Sequence, residues 1–120
     1  MALLPGFKLL RAKRDPDGYR ALVRLEADSP LLSGHFPGHP ILPGIAHLGL
    51  GLYAVHEMEG REHCLVEVQG VRFRRPTLPG DLIEVAVVRA SETGSVRFEL
   101  RSADVVLSRG LLVVEDEISA

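Results

Sequence analysis

The residues best suited to chemistry lie in one run, Ser33-Gly34-His35-Phe36-Pro37-Gly38-His39-Pro40-Ile41-Leu42-Pro43-Gly44. His35 stands there in a stretch rich in proline and glycine, just ahead of an apolar segment that reads as a helix. An imidazole with an unperturbed pKa of about 6.5 is a serviceable base near neutrality. The first amides of a helix have no partner within it, so those starting near Gly44 are able to polarise a carbonyl and hold an enolate oxygen. A base beside such donors is what proton abstraction next to a carbonyl requires.

Other groupings fall away on spacing. His39 follows His35 by four residues, but Phe36-Pro37-Gly38 between them prevents the helical geometry that a zinc pair uses, and no metal is expected. His56-Glu57 begins like a zinc-protease helix, yet Gly60 stands where the second histidine would be needed. Cys64 is the only cysteine and lies in a valine-rich run, where it is expected to act as a small buried hydrophobe. With no partner thiol and an opening apolar stretch too short for a secretion signal, a cytoplasmic setting is expected. Fourteen Lys and Arg against sixteen Asp and Glu give no general attraction to nucleic acid. No run reaches the ~18 apolar residues of a membrane span.

The elements that must position His35 and Gly44 read as one domain over residues 1–120. Two strands, Phe7 to Lys13 and Tyr19 to Ala27, are joined by the turn sequence Asp15-Pro16-Asp17-Gly18. The second alternates Tyr19, Ala21, Val23 and Leu25 with Arg20, Leu22, Arg24 and Glu26, a strand with one wet face. Ser29 to Gly44 holds four of the eight prolines and cannot be a regular helix. Ile45 to Met58 is apolar on nearly all sides, which predicts a buried helix, with close approach of a neighbour at Gly49 and Gly51 and a stop at Gly60. Strands follow at His63 to Arg75, Leu82 to Ser91, Ser95 to Ser102 and Val105 to Glu115. One helix that needs cover and one long antiparallel sheet that needs a partner for a face satisfy each other if the sheet curls around the helix, an α+β fold.

The run Gly34 to Gly44, with Val71-Arg72-Phe73-Arg74-Arg75-Pro76 and Pro79-Gly80-Asp81 downstream, resembles bacterial 3-hydroxyacyl-acyl-carrier-protein dehydratases, which have the hotdog fold. The resemblance implies that His35 removes the C2 proton of the substrate and that the Gly44 amide faces the thioester carbonyl. It further implies substrate contacts from Phe36, Gly38, Leu52 and Tyr53, with Val55 also along the acyl tunnel. Arg72, Arg74 and Arg75 are candidates for docking acyl carrier protein, against the plainer reading of an exposed strand face. The substrate would arrive on a phosphopantetheine arm, with no other cofactor. A homodimer or an assembly of dimers is implied, because in this family the acyl tunnel and site lie between subunits.

The sequence departs from the family at the helix. The family carries a Glu or Asp fourteen residues after the catalytic histidine and commonly a glutamine four residues later; here those positions are Gly49 and Tyr53. Positioned acid-base groups contribute ~10²–10⁴-fold, so the gap matters. Three substitutes present themselves: His47 in an altered register, a weak donor in Tyr53, or an acid from a paralogous chain in a hetero-oligomer. The expected function is removal of water from 3-hydroxyacyl thioesters, in fatty-acid or polyketide synthesis. The alternatives are a thioesterase, using Glu57 or His47 to activate water, and a non-catalytic acyl-binding subunit.

Overall fold

A computed structural model describes residues 2–32, 44–92 and 94–116. Its strands are β1 (Phe7–Asp15), β2 (Gly18–Leu25), β3 (His63–Phe73), β4 (Leu82–Arg89), β5 (Ser95–Ser102) and β6 (Val105–Asp116). The helix α1 covers Gly44–Glu59, and a short 3-10 turn, Pro30–Leu32, precedes it. The strands form one antiparallel sheet in the order β1-β2-β4-β5-β6-β3, with α1 packed against β2, β4, β5, β6 and β3. This is the α+β arrangement expected from the sequence.

The alternation in β2 sets the inner face. Tyr19, Ala21, Val23 and Leu25 are buried, and cross-strand pairing carries that face onward through Val23↔Ile83, Val85↔Leu100 and Val96↔Leu112. Opposite them α1 contributes Ala46, Leu50, Ala54, Val55 and Met58. Each fully buried aliphatic side chain of this kind stabilises the fold by ~1.5–3 kcal/mol. The approach expected at Gly51 is made by side chains: a Cβ there would stand 3.1 Å from Leu112 Cδ1 and 3.4 Å from Phe98 Cγ. Gly60 stops the helix with a φ of 72°, its N–H donating to the His56 carbonyl at 2.8 Å.

Three expectations are corrected. The strand read to Arg75 ends at Phe73, because the Arg74 and Arg75 amides both turn onto the Leu107 carbonyl, at 2.8 and 3.3 Å. Cys64 is exposed: β3 is an edge strand covered on one face only, and Cys64 pairs with exposed Glu115. The helix is not covered all round in this single chain, for Ile45 is 77% exposed and Leu48 and Leu52 are half-buried.

Candidate functional site

The N-terminus of α1 is built around a glycine. A Cβ on Gly44 would stand 3.3 Å from Cε1 and Cζ of Phe73, so the ring at the end of β3 lies against the start of the helix. Phe73 pairs with Ser108 on the face of the sheet that carries α1, yet keeps 51% exposure. It thus offers an apolar wall beside the unpaired first-turn amides. No helix among the described residues is long and apolar enough to cross a membrane.

His47 fixes this corner from behind. Its Nδ1 lies 2.8 Å from Ser108 Oγ and its Nε2 3.0 Å from Thr77 Oγ1, with all three side chains at 2% exposure or less. Phe73 packs edge-on against the imidazole, with ring centroids 5.6 Å apart. Burial without a charged partner pushes the His47 pKa down to about 4, so the ring is neutral at physiological pH. This corrects its reading as a substitute acid or as a water-activating group. Both nitrogens are engaged by core hydroxyls, and the ring ties α1 to β6 and to the segment leading into β4. A buried ring able to satisfy both nitrogens is the lower-energy arrangement than one aimed at solvent.

The other helix residues named from the sequence divide. Tyr53 is buried, and its hydroxyl is pushed well above the usual tyrosine range, chiefly by burial and further by the neighbouring Tyr19 and Glu57. The Glu57 backbone carbonyl accepts from the Arg14 guanidinium. Val55 is fully buried in the core and is unavailable to line a tunnel in this chain, whereas Leu52 is half-buried. Arg72, Arg74 and Arg75 are all exposed. Arg72 pairs across with Arg109, also exposed, while Arg74 and Arg75 follow directly on Phe73 and so flank the helix N-terminus. His35, Phe36 and Gly38 lie outside the described residues, as does His39. Thr77 and Ser108 were not singled out from the sequence; the signal was a serine at an inward position of apolar β6, which must find a partner.

A second polar grouping closes the far end of α1. His56 Nε2 accepts from the His63 N–H at 2.9 Å, its Nδ1 lies 3.1 Å from Glu62 Oε2, and Arg89 and Glu59 form an ion pair at 3.0 Å. Among the described residues no group of three or more His, Cys, Asp and Glu is arranged to hold a metal. Among the described residues a depression of about 680 Å³ lies mainly on the opposite face of the sheet, where Glu84, Arg97, Glu99 and Arg109 stand beside Ala86 and Val88.

A curled antiparallel sheet holding one central helix defines a hotdog domain. By sequence it is similar to dehydratases: residues 11–111 match the ApeI-like family, described as ApeI dehydratase, and the chain belongs to that family. It is 30% identical to 3-hydroxyacyl-[acyl-carrier-protein] dehydratase FabZ of Anaeromyxobacter dehalogenans (strain 2CP-1), over 97% of this chain and 81% of that protein. It is 34% identical to FabZ of Haemophilus influenzae (strain Rd), over 62% of this chain and 55% of that protein. The chain spans about half the length of several of the curated relatives it matches. In fold it is similar to the dehydratase heterocomplex ApeI:P from Xenorhabdus doucetiae, with a TM-score of 0.81 at 17% identity over 92% of this chain and 96% of that one. It is also similar to the E. coli PaaI protein, with a TM-score of 0.67 at 13% identity over 95% and 81% of the two chains.

Proposed function

We propose that this chain removes water from 3-hydroxyacyl thioesters borne on the phosphopantetheine arm of acyl carrier protein, giving 2-enoyl thioesters. The observation that carries the reading is the start of α1, where Gly44 has no side chain, its amide is unpaired within the helix, and Phe73 supplies an apolar flank. In this reading the Gly44 amide and its neighbours polarise the thioester carbonyl, and His35 takes the C2 proton. The electron pair forms the C2–C3 double bond as the C3–O bond breaks, and the hydroxyl leaves as water with a proton from an acid. Phe36, Gly38, Leu52 and Tyr53 remain the proposed contacts with the acyl group, and Arg72, Arg74 and Arg75 the proposed contacts with an acidic carrier.

The acid comes from a second chain, because Gly49 has none to give. An assembly is supported by the surface: Val66, Val68 and Phe73 on edge strand β3 are 50%, 40% and 51% exposed, and Ile45 opens beside them at the helix N-terminus. An unpaired apolar edge of this kind is a template for another chain. The proposed assembly is a dimer through this edge, either of two copies or with an acid-bearing paralogue. Gly49 favours the second form, in which this chain alone binds the acyl group and turns it over slowly.

The test follows the 2-enoyl product by ultraviolet absorbance and mass from a 3-hydroxyacyl-carrier-protein thioester, with the wild type and His35→Ala. Slow enoyl formation that vanishes in the variant is expected. Release of free acid instead would make the protein a thioesterase, and an unchanged rate in His35→Ala would overturn the mechanism.

A further inference from the structure

The space beside Gly49 is filled by a residue from the other end of the sequence. A Cβ on Gly49 would stand 3.1 Å from Cδ1 and 3.4 Å from Cδ2 of Leu4, inside the ~3.5–4.0 Å of an ordinary carbon contact. Leu4 is held in place by its own strap. Its carbonyl accepts from the Phe7 N–H at 3.3 Å, the Pro5 carbonyl accepts from Ser29 Oγ at 3.1 Å, and the Gly6 carbonyl accepts from the Glu26 N–H at 2.8 Å. Gly6, with a φ of 81°, passes Ser29 so closely that a Cβ would lie 2.2 Å from the serine Cβ. Ser29 is 4% exposed, and its Oγ also accepts from the Leu31 N–H at 3.3 Å. The serine that clamps the strap therefore also starts the 3-10 turn Pro30–Leu32.

We propose that Leu4 is a specificity-determining residue of the thioester site, closing with an apolar side chain the turn of α1 from which an acid would have to project. The inference rests on the function proposed above, in which position 49 borders that site. A carboxylate on residue 49 needs the volume that Leu4 occupies. With Leu4 clamped there, the wall meets the acyl chain and not the leaving hydroxyl, and the protomer takes its acid from elsewhere. The two residues form a pair, Leu4 fitting because 49 is glycine, so replacing Gly49 alone does not reinstate an acid.

Two readouts test this. The first is thermal unfolding of Gly49→Ala with Leu4 present and in a Leu4→Ala background. Glycine to alanine inside a helix is favourable by itself, so Tm is expected to rise by ~3 °C in the Leu4→Ala background and to stay level or fall with Leu4 in place. An equal rise in both backgrounds overturns the proposal. The second is enoyl formation by Gly49→Glu against Leu4→Ala/Gly49→Glu, the double variant being expected at least ~10-fold faster. Enoyl formed at equal, measurable rates by the two overturns the proposal. No enoyl from either, with the Tm coupling present, overturns the thioester reading and leaves the packing of Leu4 standing.

Discussion

His47 makes the stability of the helix N-terminus depend on pH in a direction that follows from its surroundings. The ring is buried between Ser108 and Thr77 with no carboxylate on it, and its pKa is lowered from 6.5 to about 4. In the unfolded chain the same ring takes a proton near pH 6.5. Between those values the unfolded state binds more protons than the folded one, so stability falls on acidification. The loss begins as pH drops through about 6.5 and is complete below about 4. At ~1.4 kcal/mol per unit, a shift of about 2.5 units amounts to ~3 kcal/mol. The perturbation is His47→Gln, which keeps an acceptor and a donor for the two hydroxyls and cannot be charged. At pH 7 the variant is expected to be less stable by ~1–2 kcal/mol through poorer hydrogen bonds. As pH falls to 4 that gap closes by ~3 kcal/mol, and the two curves cross. Urea unfolding at half-unit steps from pH 7.5 to 4 measures the difference, in which carboxylates common to both proteins cancel. A gap that stays constant between pH 7 and 4.5, or a His47 ring proton titrating near pH 6.5 by NMR, would refute the reasoning.

Gly60 caps α1 with a φ of 72° and nothing within 4 Å of where a Cβ would stand, so its substitution tests backbone strain alone. Gly60→Ala is expected to cost ~1 kcal/mol and Gly60→Asn less, read as a drop in Tm without loss of cooperativity. Charge reversal of Arg74 and Arg75 tests the carrier-docking reading: KM for a carrier-borne substrate is expected to rise ~10-fold at low salt, with kcat and the KM for a pantetheine-borne substrate unchanged. An equal effect on both substrates would place these arginines elsewhere in the function.

The fold was legible because its signals are local and agree with one another. The alternation of Tyr19, Ala21, Val23 and Leu25 needs no knowledge of the neighbours to place one face inward, and the turn at Asp15-Pro16-Asp17-Gly18 joins β1 and β2 as read. What sequence pattern does not carry is which strand ends at an edge. Cys64 reads as core because it lies in a valine-rich run, yet β3 lies last in the order and is paired along one side alone, with β6. The exposed Ile45 misleads in the same way: an apolar residue is placed by whatever covers it, and a single chain does not name its cover.

At the site the same limit takes a sharper form. The glycine at 44 and the helix that begins there follow from proline, glycine and apolar spacing, but the partner that gives Gly44 its setting, Phe73, is twenty-nine residues away on another strand. His47 reads from sequence as a histidine on an apolar helix, and such a residue is either a core group or a catalyst. What decides between them is Ser108, sixty-one residues on, whose hydroxyl faces inward from β6 and takes one ring nitrogen. Gly49 follows this logic in reverse. From sequence it is an absence, an acid replaced by nothing, and in the fold the place is taken by Leu4, forty-five residues earlier. A missing side chain costs little where a neighbour fills the void, because the lost contacts are replaced and no cavity forms. The departure from the family at position 49 is therefore packed as firmly as the features that match it. A side chain restored at position 49 meets the end of Leu4, whose strap is held at Ser29 and Glu26.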